Sequence, residues 1–165
     1  MWFVHRKVIL TKDNLLKRRW NRCKKCTFCE SDETVEHLFI DCPFARNIWK
    51  LIHFTYNISP PSSIANMFGT WLTGVEKQTK ARIRIGVCAF IWAIWNCQND
   101  IIFNKTRAAH FLQVVHKATY WINIWSLLLP PDQRALMHSG CSWLMAVVRA
   151  IFNRSGWQHA RRITS

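Results

Sequence analysis

The sequence predicts an all-α protein, built as a small metal-stapled helical module followed by a long-helix extension. Three observations carry that expectation. Only five Gly and five Pro occur in 165 residues, too few for a turn-dense β protein. From about residue 77 onward, apolar side chains recur at helical spacing over stretches longer than ordinary strands. Cys26, Cys29, His37 and Cys42 follow the pattern C-x2-C-x7-H-x4-C within 17 residues, enough to close one tetrahedral metal shell with no open position.

Taken in order, Thr11 is the expected N-cap of a short helix from Lys12 to about Arg19, with Leu15 and Leu16 turned inward. Arg22 to Glu30 forms a cysteine turn. Ser31 or Asp32 is expected to cap a second short helix running through Phe39. Pro43 suits the first turn of a third helix, Pro43 to about Phe54, whose stripe is Phe44, Ile48, Leu51 and Ile52. Ser59-Pro60-Pro61-Ser62-Ser63 is the clearest break, and a short helix around Ile64 to Leu72 follows. Lys77 to Phe103 reads as a long helix with Ile83, Val87, Ile91, Ile94 and Trp95 inward. Ala108 to Leu129 reads as another, ended by Pro130-Pro131. A last helix, about Ala135 to Phe152, is expected to be weakened at Ser139-Gly140. The expected division is a module at 1–58, a helical extension at 59–153 and a basic tail at 154–165.

Half the residues are hydrophobic, with ten Trp and ten Phe, ample for a core. The longest apolar run, Ile85 to Trp95, is too short to span a bilayer; a buried core helix and no membrane partner are expected. The formal net charge of +14 points to a polyanion, RNA or DNA. The cations crowd the N-terminal quarter, and Lys17, Arg18, Arg19, Arg22, Lys24 and Lys25, with Trp20 among them, are the expected nucleic-acid contacts. The alternative for Trp20 is packing on the metal module; for the cations it is a solvated face.

Seven cysteines, an odd number, with no secretory signal favour a reducing, intracellular compartment, nuclear or cytoplasmic, and a metal site over a disulfide framework. A C-x2-C turn sets two thiolates on one side of a tight loop. His37 and Cys42 then bring in a helix and a helix junction. Zn²⁺ fits this soft-to-borderline donor set, and its binding energy, ~10–16 kcal/mol in finger peptides, is large enough to decide folding locally. Cys23 leaves a second register open, because Cys23/Cys26 is also a C-x2-C pair; Cys26/Cys29 keeps the loop to His37 shorter. Cys88, Cys97 and Cys141 read as core thiols. His5, His53, His110, His116, His138 and His159 show no ligand spacing.

The run ILTKDNLLKRRWNRCKKCTFCESDETVEHLFIDCPFARNIW resembles the zinc-binding domain that follows the reverse transcriptase core in plant non-LTR (LINE-type) retrotransposon polyproteins. The shared pattern is a basic helix, C-x2-C at Cys26 and Cys29, E-x-x-x-H-L-F at Glu33 to Phe39, C-P-F-A at Cys42 to Ala45, and Trp49. IWAIWNCQNDIIFN, Ile91 to Asn104, resembles a later segment of the same proteins, although Cys97-Gln98-Asn99 stands where an Arg-Asn pair is common. The resemblance implies an N-terminally truncated module that assists a reverse transcriptase core on its template.

No paired carboxylates suited to two-metal polymerase or nuclease chemistry occur in the sequence, and no activated nucleophile is evident. The expected function is therefore non-catalytic, with no small-molecule substrate: zinc binding with sequence-nonspecific RNA or DNA contact. The alternative is a structural or protein-interaction remnant without nucleic-acid binding.

Overall fold

A 28-residue helix, Lys77–Asn104, is the spine of the protein. The computed structural model describes residues 1–20, 23–104 and 111–155. In chain order the helices are α1 (Trp2–His5), α2 (Lys12–Lys17), a π-helical turn (His37–Asp41), α3 (Pro43–Tyr56), α4 (Ile64–Phe68), α5 (Lys77–Asn104), α6 (Phe111–Ser126) and α7 (Pro131–Ser155). Among the described residues there is no strand, only an isolated bridge between Lys25 and Asp32. The fold is all-α, with a Cys/His cluster near the N-terminal helices and long helices after it.

α6 runs antiparallel to α5. Trp92 meets Trp121 edge-on at 6.3 Å, and Asp100 pairs with Lys117 at 2.5 Å, so positions rise along one helix as they fall along the other. α7 reverses again, and Phe111 stacks on Phe152 at 5.0 Å. The starts of α5 and α7 are joined through Gln133, which donates to Gln78 and accepts from Arg82. The buried side chains Val87, Phe90, Ile91 and Ile94 of α5, Val114, Val115 and Ala118 of α6, and Leu144 and Val148 of α7 form one face-to-face core. By length and composition alone, Lys77–Phe103 and Pro131–Arg154 are each apolar enough to cross a membrane. The core helix of a bundle meets the same criterion; here 44% of the apolar 18-residue stretch of α5 and 28% of that of α7 is buried.

Several boundaries differ from those read in the sequence. α2 stops at Lys17 rather than Arg19, because Arg19 takes a left-handed backbone, φ 65°. Thr11 makes no side-chain cap bond; its hydroxyl meets Asp13 instead. The second short helix does not begin at Ser31 or Asp32. Asp32 is held in the bridge to Lys25, and Thr34 is the residue whose hydroxyl accepts the His37 N–H, at 3.0 Å. α3 continues to Tyr56, where Asn57 ends it in the left-handed region, φ 54°. α4 closes at Phe68 after one turn, started by the Ser63 hydroxyl accepting from Asn66 N–H at 3.0 Å. The expected start of the next helix at Ala108 lies outside the described residues, as do Arg22, His110, His159 and most of the basic tail.

α6 stops at Ser126 rather than Leu129, short of the Pro pair, and Pro131 supplies the first residue of α7. α7 passes through Ser139-Gly140 without a break. Gly140 lies under the ring of Tyr56, whose hydroxyl donates to the Gly140 carbonyl at 2.7 Å. This contact and the Trp143 indole N–H to the Thr55 carbonyl, 3.3 Å, fasten α7 to the end of α3.

Candidate metal centre

Cys26, Cys29, His37 and Cys42 converge. One ligand atom from each lies within 4.8 Å of all the others. The Cys26–Cys42 and Cys29–Cys42 sulfur separations are both 3.9 Å. Zn–S bonds of ~2.3 Å place two sulfurs of a tetrahedron ~3.8 Å apart, so these edges already have the length a zinc ion requires. The Cys29 Sγ–His37 Nε2 edge is 3.1 Å; it needs to open by about half an ångström for bonds of zinc length.

The sequence brings these four together in three steps. The cysteine turn folds back at Cys26, whose N–H donates to the Ser31 carbonyl at 2.7 Å. The Cys26 sulfur in turn accepts the Phe28 N–H at 3.4 Å, an orientation that leaves its remaining lone pairs toward the other ligands. Phe28 stacks on Phe44 of α3, 4.3 Å between ring centroids, which presses the turn onto the helix that follows Cys42. The third step is the π-turn. Cys42 N–H donates to the His37 carbonyl at 2.7 Å, a bond across five residues. An α-helical turn would carry residues five apart well past one revolution. The wider π-turn returns Cys42 nearly above His37, so the x4 spacing meets at one point.

The electrostatics of the site favour a cation. The Cys26 thiol is pulled down to about 5, first by its contact with the Cys42 sulfur and then by the Phe28 N–H and His37, against burial. The same contact with Cys26, with burial, pushes Cys42 strongly up. Thiolate ligands bind a metal ion in their deprotonated form, so a bound cation would take the place of the thiol protons. Three sulfurs and one imidazole fit Zn²⁺ as a closed structural shell, in which bound metal would tie loop, turn and helix together without activating water.

Cys23 stays outside the cluster. It is exposed, and its sulfur accepts the Lys25 N–H at 3.4 Å. Of the two registers open in the sequence, the structure assembles Cys26/Cys29. Cys97 and Cys141 are buried in the helical core and Cys88 is half-buried there.

Two acids of the module, Glu33 and Glu36, cap neighbouring helices, a role that sequence spacing did not reveal. Glu33, 1% exposed, accepts the Lys12 N–H at the start of α2 at 2.8 Å and the Gln98 amide of α5 at 2.5 Å. Glu36 accepts the Ile64 N–H at the start of α4 and pairs with Lys7, both at 2.7 Å. Each carboxylate satisfies a helix N-terminus that would otherwise hold an orphan donor.

The expected nucleic-acid contacts are distributed unevenly. Lys24 and Lys25 flank Asp32 at 2.6 and 2.9 Å, and Asp32 is held below the usual carboxylate range by Lys24 and then Lys25. Lys17 lies 3.7 Å from Asp13 and donates to Asn14. Arg18 and Arg19 are exposed and form no ion pair among the described residues. Trp20 is half-buried.

Residues 1–49 match the model of a protein family described as zinc-binding in reverse transcriptase. That segment contains all four convergent ligands, so the family similarity and the geometry fall on the same residues. Searches of the curated proteins and of the solved structures found no match to the chain.

Proposed function

We propose that this chain is a zinc-stapled, non-catalytic nucleic-acid-binding fragment related to the tail of a plant non-LTR (LINE-type) reverse transcriptase, acting inside the cell on RNA or DNA without sequence preference. A reverse transcriptase core is a natural partner in this reading. The observation that carries it is the pairing of a closed Cys3His donor set with an excess of 14 positive charges. The metal cluster holds the cysteine turn in place, and exposed Arg18 and Arg19 lie just before that turn with no carboxylate against them among the described residues. Guanidinium groups left unpaired on a fixed scaffold suit phosphate, which they meet in a bidentate fork. Lys24 and Lys25 can exchange Asp32 for phosphate at little cost, because exposed pairs are weak.

Elemental analysis with an anisotropy titration tests both halves. Zinc at one ion per chain and binding to labelled RNA or DNA that weakens steeply with salt are the expected results. A metal-free folded chain would refute the zinc assignment. A zinc-loaded chain that binds no nucleic acid at low salt would leave a structural or protein-interaction remnant.

A further inference from the structure

The N-terminal segment and α5 enclose a groove of about 460 Å³, a size within the roughly 300–1,000 Å³ of ligand clefts. Phe3 and Leu10 form part of one wall, and Trp92 and Trp95 part of the other; Arg18 also lines it, and among the described residues no carboxylate does. The rings are displayed rather than buried: Phe3 is 60% and Trp92 37% exposed.

The rings of both walls contact neighbouring rings. Trp92 contacts Trp95 at 5.2 Å and meets Trp121 of α6 edge-on at 6.3 Å. Phe3 meets Trp2 edge-on at 5.2 Å, and the Arg6 guanidinium sits 5.9 Å from the Trp2 ring. The walls therefore offer exposed aromatic rings and a cation. An aliphatic peptide would use only the apolar area. An unpaired nucleobase uses both, because it stacks and carries a phosphate beside it.

We infer that this groove takes unpaired bases of single-stranded RNA or DNA, with a base stacked on Trp92 or Phe3 and Arg18 on the adjoining phosphate. The inference rests on the polyanion reading above and adds to it that the preferred ligand is single-stranded. The charge of the whole chain complements such a strand, and the Arg18 shared by groove and basic segment makes the two surfaces continuous.

The test uses the full zinc-loaded chain at fixed salt. Its probes are a labelled oligothymidylate of about 12 nucleotides, within the site sizes of single-strand binders, an abasic strand with the same number of phosphates, and a duplex of the same length. The oligothymidylate should bind at least about 5-fold tighter than the abasic strand, the lower end expected for one stacked base, and tighter than the duplex. Trp92→Leu keeps an apolar side chain but removes the ring; it should abolish that advantage and leave abasic binding unchanged. If that variant does not fold by circular dichroism, Phe3→Leu, at an exposed position, makes the same test. Equal affinity for oligothymidylate and abasic strand would overturn the groove while leaving phosphate binding intact. Absence of binding to every probe would overturn both readings. Self-association in sedimentation, abolished by Trp92→Leu, would assign the groove to a second copy of the chain and overturn the inference.

Discussion

Glu33 of the metal module and Gln98 of α5 share a 2.5 Å hydrogen bond across 65 positions of sequence. The same carboxylate oxygen takes the first N–H of α2. One side chain therefore joins the cysteine segment, the basic helix and the spine of the bundle. Its second oxygen, Oε2, and the Gln98 Oε1 are both buried without a partner among the described residues. A hydrogen on either side of that pair is what the arrangement lacks.

Glu33→Gln supplies such a hydrogen. Its amide oxygen can keep the bonds from Lys12 and Gln98, and its NH₂ can donate to the Gln98 carbonyl. We expect this variant to be as stable as the parent at neutral pH, or more so. Glu33→Ala strands the Lys12 N–H and the Gln98 amide and should cost about 1–3 kcal/mol. Urea denaturation would measure both. A Gln variant as unstable as the Ala variant would show that the negative charge itself is needed.

The same pair carries a pH dependence. Burial raises the Glu33 pKa above its ordinary value, outweighing the opposing bonds from Lys12 and Gln98. A group that binds its proton more readily in the folded state contributes stability below its unfolded pKa and loses it as pH rises through the folded one. The parent should therefore gain on Glu33→Gln as pH falls and lose against it as pH rises. The metal contribution is common to both proteins and cancels in the difference of their denaturation midpoints. A difference independent of pH would mean that Glu33 titrates normally.

These capping roles show where the sequence was readable and where it was not. The ligand quartet was readable because its four members lie within one short segment and their chemistry is distinctive. The long helices α5 to α7 were readable because each repeats its apolar face over many turns. The π-turn was not, since no propensity separates it from one more turn of α-helix; only the need for His37 and Cys42 to meet calls for it. Glu33 stood in plain view beside the motif, but its two partners are 21 and 65 residues away, and spacing says nothing at that range. Ser139-Gly140 was read as a weakness because an isolated Gly lowers helix propensity. The neighbour that makes use of its bare backbone, Tyr56, belongs to another helix.

That last point gives a prediction at two glycines. Gly140 and Gly86 both sit inside helices, and a methyl group at Gly140 would lie 3.7 Å from the Tyr56 ring, an ordinary contact, while one at Gly86 meets nothing within 4 Å. Gly86 also lines an apolar cavity of about 230 Å³ between α3, α5 and α7. Alanine at either position should raise stability by up to about 1 kcal/mol through helix propensity. Tyr56→Phe should instead lower it by about 0.5–1.5 kcal/mol through loss of its bond to the Gly140 carbonyl. Thermal melts rank the three. A destabilised Gly140→Ala would mean that the added methyl group disturbs the Tyr56 ring or its bond to the Gly140 carbonyl.

Removal of a metal ligand should act locally. Cys42→Ala takes away a share of a zinc-linked folding energy that is ~10–16 kcal/mol in finger peptides, and it should expose the amides of the first ~55 residues more than those of α5 to α7. Cys23→Ala, outside the cluster, should keep the bound zinc. Cys97→Ala, a small change in the helical core, should cost about 1 kcal/mol, near the centre of point-mutant effects. Hydrogen exchange with zinc analysis separates these cases. Zinc lost in Cys23→Ala but retained in Cys29→Ala would reverse the ligand register.

The basic segment yields the last prediction. Lys17, Arg18 and Arg19 leave the end of α2 as consecutive cations, and the left-handed backbone at Arg19, φ 65°, turns the chain there. Lys17 is the one of the three already drawn to a carboxylate, Asp13 at 3.7 Å, and that pair is exposed enough to be readily exchanged. Each phosphate contact contributes about −0.9 to the log–log salt slope on duplex DNA and about −0.7 on single strands. Changing all three residues to Ala should weaken binding and flatten the slope by roughly one to three contacts' worth. Changing Arg18 and Arg19 alone should account for most of that loss, since they start without a carboxylate partner among the described residues and meet phosphate in a bidentate fork. Anisotropy titrations over a salt series measure affinity and slope together. An unchanged slope in the triple variant would make this segment a solvated helix end and move the polyanion contact elsewhere on the chain.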